Sequence, residues 1–422
     1  MSEVLRRYAA NPDTSTIHSK GLDVLGWLER PSTQPDDEYL VSAPVSPALI
    51  GLTQLMHYVV MCRTLDLTPG QVRSHFVAAT GHSQGIISAA VIAASSSWES
   101  FYQNAERGLG LLFWLGTRAQ QVYPATTLNP VILQDSLNHN EGTPSPMLAI
   151  THLRYADVVQ HVELTNSHLP EDRRISIALV NGPRSCVCTG PPQSLYGLNL
   201  RLRKLKAPSG ADQSRIPFSK RHLKISTRFL PVTVPFHSVY LKAATDLIAQ
   251  DIEKYQLRFD GMDLAIPLLA TDTGADLRDH SNISLEMIAQ TCNRTAYWVK
   301  STAVPDVTHI LDFGPGGVSG IGSLTNRNKE GTGVRIVFAG ALTGTRKNIS
   351  YKPALFDSRP ESVQYSPDWS RDFRPQLVRT TCDDQLHIET RMSRLLGKPP
   401  LMVAGMTPST VSSKFVAAVL NS

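Results

Sequence analysis

Residues 46–65, SPALIGLTQLMHYVVMCRTL, place Leu49, Leu52, Leu55, Met56, Val59 and Val60 at helical spacing, which predicts a helix with one face in a core. Ser46 followed by Pro47 reads as a cap and a first helical position. TPG at 68–70 breaks the pattern. The apolar run HFVAAT then predicts a short strand leading directly into Gly81, and QGIISAAVIAASS beyond Ser83 has the small and apolar residues of a buried helix. Strand, sharp glycine turn and helix meet at Ser83.

From about residue 146 to 235 the period changes. MLAITHL reads as a strand and RYADVVQHVELTNSHL as a helix; ISIALVNG and SCVCTG read as two strands joined through Asn181-Gly182-Pro183. PPQSLYGLNLRLRKL opens on a helix-start signal, and STRFLPVTVPFHS returns as a strand that carries His237 at its end. The order βαββαβ is the ferredoxin-like arrangement, inserted into a larger α/β domain. VTHILDF at 307–313 and VRIVFAG at 334–340 predict further strands, and residues 351–390 read as an irregular linker. PPLMVAGMTPSTVSSKFVAAVLN predicts one strand, a turn and a helix, a lone βα unit that cannot bury its own apolar faces.

Composition narrows the picture only a little. The 422 residues are 41% hydrophobic and 18% charged, enough for a large core and more than one domain. A net charge of +5, from 41 basic and 36 acidic residues, is ordinary for a soluble surface and comes with no aromatic-interleaved basic motif of the nucleic-acid-binding kind. The five cysteines show no paired-ligand spacing; Cys186 and Cys188 share one face of a strand, and no metal site is expected. The cysteine usage, the start MSEVLRRYAANPDTST and the lack of a membrane-length apolar run point to a cytosolic chain with no membrane partner.

Gly81-His82-Ser83-Gln84-Gly85 fits Gly-x-Ser-x-Gly on a strand–turn–helix, where the turn exposes the serine hydroxyl at a helix N-terminus. The plainer alternative is a serine that only caps the helix; the flanking elements favour a nucleophile. A nucleophilic serine needs a base. His82 adjoins Ser83, but neighbouring side chains on such a turn diverge, so packing or hydrogen bonding in the site suits it better. His57 lies inside an apolar helix, as satisfied core histidines do. His237, at a strand end and 154 residues after Ser83, is preferred over the others.

GHSQG, VPFHS, LVNGP, GPPQSLYGLNLRLRKLKAPSGADQSRIPFS and HILDFGPGGVSGIGSLTNRNKEGTGVRI together resemble the acetyltransferase (starter acyltransferase) domain of the fungal type I fatty acid synthase beta subunit. GKPPLMVAGMTPSTV resembles the start of the flavin-dependent enoyl reductase barrel that follows it. The resemblance covers nearly the whole chain. It implies an α/β-hydrolase-like acyltransferase core over 1–145 and 236–350, a ferredoxin-like subdomain over 146–235, a linker over 351–396, and a stub of a TIM barrel over 397–422. It also implies a ping-pong transacylase. Ser83 takes an acyl group from CoA with His237 as base and passes it to the phosphopantetheine thiol of an acyl carrier protein. The carrier protein belongs to the alpha subunit, and further beta subunits complete a large hetero-oligomer.

The resemblance assigns further roles. The N–H of Gln84 is one oxyanion donor, and the carbonyl of Tyr297 orients the imidazole, with Asp312 as rival orienter or as cap of the glycine turn. Leu115 stands where malonyl-transferring relatives carry a carboxylate-binding arginine, a position that neither Arg107 nor Arg118 matches. That implies an uncharged acyl group, acetyl first; Leu115 as plain core fits equally. Phe236 narrows the acyl pocket or packs the core. The basic run Arg201, Arg203, Lys204, Lys206 faces CoA phosphates, an acidic carrier protein, or simply water. The acyl transfer needs no cofactor; FMN and NADPH are expected only for the enoyl reductase.

The family opens with a strand ending in a Gly-Gln-Gly turn, which supplies the second oxyanion donor, and no Gly-Gln-Gly occurs in this chain. The first strand and its loop are therefore expected to be missing, and the barrel to be cut after one βα unit. Two other readings stand beside the transacylase: a serine esterase or thioesterase, and an inactive structural fragment of the synthase.

Overall fold

Helices Ser46–Thr64, Gly85–Ala94 and Trp98–Val122 build the apolar centre of the protein. The last of these starts at a reciprocal cap, in which Ser97 accepts from the Ser100 N–H. Every residue from Gly85 to Ala93 is buried, as the small and apolar sequence after Ser83 requires. The first helix is apolar all round, so its spacing could not choose the inward face. Packing buries Ala48, Leu55, Tyr58, Met61 and Cys62, while Met56 and Val60 of the expected core stripe are 41% and 47% exposed.

The computed structural model describes residues 1–208, 210, 212–316, 320–339, 355, 365–379, 385–397, 400 and 412–421. They fall into two units: residues 1–328 with 336–363, and residues 329–335 with 364–422. The first is a mixed α/β unit. Its main sheet contains β1 (Met147–Thr151), β2 (Ser176–Gly182), β3 (Ser185–Thr189), β4 (Ser226–Phe229) and β5 (Ala296–Tyr297), in the order β4-β1-β3-β2-β5. The β1–β3, β1–β4 and β2–β3 pairs are antiparallel; β5 joins β2 in parallel. Helices Tyr155–Asn166 and Pro192–Arg203 are the crossovers.

Strand alternation gives this sheet two apolar faces. Leu148, Ile150, Cys186, Cys188 and Phe229 pack with Leu195, Leu198 and Leu202 of the second crossover helix. Met147, Ala178, Leu179 and Val187 belong instead to the cluster that holds the Ser83 helix. A second, two-stranded sheet pairs β6 (His309–Asp312) with β7 (Arg335–Phe338).

Three expectations are corrected here. HFVAAT forms no strand; only Ala79 is bridged, to Leu268, because its Pro267 and Leu269 neighbours supply the one paired edge. The strand before His237 ends at Phe229, so His237 sits in a bend directly after the Pro-interrupted segment 230–236 rather than at a strand end. Part of the expected linker is regular: in the second unit β8 (Gln376–Arg379) and β9 (Leu386–Glu389) form an antiparallel hairpin, followed by a helix at Arg391–Leu396. Of the terminal βα unit, helix Ser413–Asn421 is present and the strand at 401–411 lies outside the described residues.

Candidate active site

Ser83 occupies the tightest point of its turn. Its φ is +55°, in the left-handed region that side chains disfavour. Gly81 makes this turn possible: a Cβ there would stand 1.9 Å from the backbone carbon of Gly85. Gly85 is less constrained, since a Cβ there would meet only the Gln54 amide, at 3.6 Å. The Gly85 N–H is spent on His82 O and that of Ile86 on Ser83 O. The Gln84 N–H donates to nothing among the described residues and sits at the N-terminus of a ten-residue helix, where unpaired backbone donors favour negative charge.

His237 is held just as firmly. Its φ is +59°, its N–H donates to Thr291 O at 3.1 Å, and it is 2% exposed. Nε2 lies 2.7 Å from Ser83 Oγ, and Nδ1 lies 2.8 Å from the carbonyl of Arg294. That carbonyl can only accept, so the proton sits on Nδ1 and Nε2 is the free base. Burial pushes the imidazolium down to about 4, against the smaller opposing effect of the Arg294 carbonyl. His237 is neutral, and ready to take a proton, at neutral pH.

The orienting carbonyl is therefore that of Arg294. Tyr297, three residues on, has its carbonyl 3.4 Å from Ser301 Oγ and its N–H on Thr271 O. The short strand β5 begins only at Ala296, so the chain reaches His237 before it enters the sheet. Asp312 accepts from the Gly314 N–H at 3.0 Å, which makes it a turn cap; burial raises its carboxyl above the usual range.

A cavity of about 710 Å³ opens beside Ser83, with Phe236, Met147, Leu179 and Trp298 in its wall. Among the described residues no Lys or Arg lines it, and its charged or titratable residues are Asp306, Asp312, His75, His82 and His309. Leu115 does not line it either. It is fully buried in the main cluster, on the core side of helix Trp98–Val122. Arg118 lies one turn on, where its guanidinium forks onto Asp251 at 2.7 and 2.8 Å and stacks over Trp114.

Sequence reasoning missed Arg294, because a backbone carbonyl leaves no signature in residue type. It also missed Asn181 and Trp298, which contact His82: Asn181 Oδ1 lies 2.7 Å from His82 Nε2, and the indole packs edge-on at 5.2 Å. His57 hydrogen-bonds the Phe313 carbonyl at 2.6 Å and is half-buried. Of the basic run, Arg203 is committed to Asp135 and Glu141 and Arg201 to His161; Lys204 is exposed. No group of residues able to hold a metal occurs among the described residues.

The sequence profile of the starter unit:ACP transacylase in aflatoxin biosynthesis matches residues 1–222, more than half of the chain. The fatty acid synthase subunit beta of Saccharomyces cerevisiae is 48% identical over 422 residues, all of this chain and 20% of that protein. The subunit of the same name from Schizosaccharomyces pombe is 46% identical over 99% of this chain and 20% of its own length. The chain thus spans about a fifth of the length of the curated relatives it matches. Among solved structures, a malonyl CoA-acyl carrier protein transacylase from Coxiella burnetii has a TM-score of 0.52 at 17% identity, covering 80% of this chain and 84% of that one. An acyl carrier protein S-malonyltransferase from Vibrio cholerae also reaches 0.52, at 18% identity, covering 79% and 91%. At such identities these two show a shared fold. The profile and the relatives carry more: the chain belongs to the starter unit:ACP transacylase family and corresponds along its length to a segment of fungal fatty acid synthase beta subunits.

Proposed function

We propose that this chain moves a short uncharged acyl group, acetyl first, from CoA to the phosphopantetheine thiol of an acyl carrier protein. The Ser83–His237 hydrogen bond is the observation that carries the reading. His237 Nε2 takes the Ser83 proton as Oγ attacks the thioester carbonyl. The Gln84 N–H stabilises the oxyanion. The intermediate collapses, the carbon–sulfur bond breaks, and the proton passes from His237 to the leaving CoA thiolate. In the second half the carrier thiol gives its proton to His237, attacks the seryl ester, and Ser83 Oγ recovers the proton as it leaves. Atoms and charges balance with no cofactor.

The acyl preference rests on the cavity wall. A malonyl carboxylate would enter a site with no Lys or Arg among the described residues and with Asp306 and Asp312 in its lining. Burying an unpaired charge costs several kcal/mol. The strand order β4-β1-β3-β2 supports a ferredoxin-like reading of residues 146–235, set into an α/β-hydrolase-like core. Cys62, Cys186, Cys188 and Cys292 are free and buried, which suits a reducing cytosol, and no helix among the described residues is long and apolar enough to cross a membrane. The alpha subunit and other beta subunits are the partners this reading implies.

Intact mass spectrometry after incubation with a panel of acyl-CoAs tests it. A seryl adduct that a pantetheine thiol discharges supports transfer. Discharge by water alone would make the chain an esterase, and no adduct on Ser83 would make it a structural segment.

A further inference from the structure

We propose that Asn181 is a positioning residue of the acyl-transfer site, aimed by a β-bulge at His82 so as to hold that imidazole in one neutral tautomer beside the nucleophile. The proposal rests on the acyl-transfer reading above.

The bulge is visible in the register. Val180 faces Cys186 and Gly182 faces Ser185, so Asn181 is the extra residue of β2. Such an insertion bends a strand and re-aims one side chain. Here the re-aimed side chain reaches His82, the residue before the nucleophile, at 2.7 Å. Asn181 is 7% exposed, and its own carbonyl accepts from Asn328 Nδ2 at 2.6 Å, which pins the bulge from outside the strand. A buried amide in an irregular strand position is costly unless its bonds are made. The same strand supports the other half of the dyad. Leu179 and Val180 pair with Ala296 and Tyr297, and Thr295 Oγ1 donates to Ile177 O, immediately after the Arg294 carbonyl that orients His237. One strand thus sets both His82 and the mount of His237.

The amide matters as well as the position. Asn181 Oδ1 accepts from Nε2–H of His82 and leaves Nδ1 unprotonated. During acylation His237 becomes an imidazolium, and a second cation beside it would oppose that charge. An amide favours the charged form of His82 only weakly, less than burial opposes it; a carboxylate would favour it far more. Burial already drives the His82 imidazolium below its ordinary range, and His82 in turn weighs against protonation of His237. Among the described residues, further charged or titratable groups on the packed elements include Cys186 opposite Val180, Tyr155 against Tyr297, Tyr297 and Lys300 beside Trp298, Arg327 beside Asn328, and Arg294, whose guanidinium is committed to Asp272 and Glu286.

The test uses histidine-selective ¹⁵N labelling, with His82→Gln to assign the His82 ring, and acetylation rates against pH. The parent should show His82 neutral and protonated on Nε2. Asn181→Ala should mix the tautomers and slow acylation about tenfold, the rate equivalent of one neutral hydrogen bond, with the acetyl-CoA concentration dependence unchanged. Asn181→Asp should favour the charged form of His82, which opposes the His237 imidazolium, and so raise the acid limb of the rate profile by about one unit; in a His82→Gln background that shift should vanish. A single unchanged tautomer and the parent rate in Asn181→Ala overturn the proposal, as does an acid limb that moves equally with and without His82. If Asn181→Asp fails to fold, the Asn181→Ala spectra and rates decide alone. A parent that forms no seryl adduct defeats the transfer reading, while the ring spectra still decide what Asn181 does.

Discussion

His237 Nε2 stands 2.7 Å from Ser83 Oγ, and both residues hold left-handed backbone, with φ of +59° and +55°. Two non-glycine residues in that region, hydrogen-bonded to each other across 154 positions, concentrate backbone strain at one point, as active sites do. Ser83→Ala should abolish the acyl adduct, and His237→Ala should slow acylation by about 10²–10⁴-fold, the range for a positioned general base. Intact mass with acetyl-CoA measures both; a His237→Ala protein that acylates at the parent rate would place the base elsewhere.

The same base sets the pH dependence of activity. Burial lowers His237 to about 4, so acylation of the free protein should hold steady from neutral pH down to mild acid and fall with a midpoint near 4. A midpoint at the ordinary histidine value of about 6.5 would mean that His237 is solvated in the working state.

Stability should follow pH through the same residues. His18, bonded to Thr117 Oγ1 and stacked on Phe113, is also lowered to about 4 by burial. In both histidines the folded value lies below the unfolded one, so between about 6.5 and 4 the unfolded chain binds more protons. Their contribution is complete above that window and is lost as pH falls through it, by about 1.4 kcal/mol per pH unit for each group. Thermal melts from pH 7 to 4 should show the decline; a flat melting temperature would contradict it.

The two glycines of the turn should differ. Gly81→Ala forces a Cβ into the Gly85 backbone, so the turn must open and acylation should be lost. Gly85→Ala meets only a side-chain amide at ordinary contact distance, and its acylation should stay within severalfold of the parent. Equal loss in both variants would show that the motif acts through something other than space.

Arg118 should matter for folding and not for substrate. Its partner Asp251 is 2% exposed, so Arg118→Ala leaves a buried carboxylate unpaired and should destabilise by about 3–5 kcal/mol. Denaturant unfolding measures that cost. The ratio of acetyl to malonyl acylation should be the same in the folded variant as in the parent, with acetyl preferred in both. A shift in that ratio would bring Arg118 into the acyl site.

Much of this was legible in the chain because it is local. Gly-x-Ser-x-Gly needs a specific spacing to make its turn, and the small residues after it can only form a tightly packed helix. The alternation in MLAITHL, ISIALVNG and SCVCTG marks strands with two apolar faces, and PPQSLYGLNLRLRKL marks the helix that covers one of them. His237 is singled out in the sequence by an expected strand end that the structure does not form, a weaker signal, since thirteen histidines share one side-chain chemistry.

What depends on distance in space was not legible. Leu115 occupies a position by resemblance, but its direction is set by how helix Trp98–Val122 rotates against its neighbours, and that rotation turns it into the core. The same freedom exposes Met56 and Val60 on a helix that is apolar on every side. The orienting carbonyl belongs to Arg294 because the backbone passes His237 before β5 begins, and every residue carries a carbonyl. Asn181 reaches His82 only through a one-residue bulge, which no periodicity records. The sequence alone determined the turn at Ser83, the buried helix after it and the order of elements from Met147 to Phe229, since these follow from neighbouring residues. The tertiary structure decided which groups meet the histidines and which side chains face the cavity, since those contacts join segments about 60 to 150 positions apart whose approach is settled by packing.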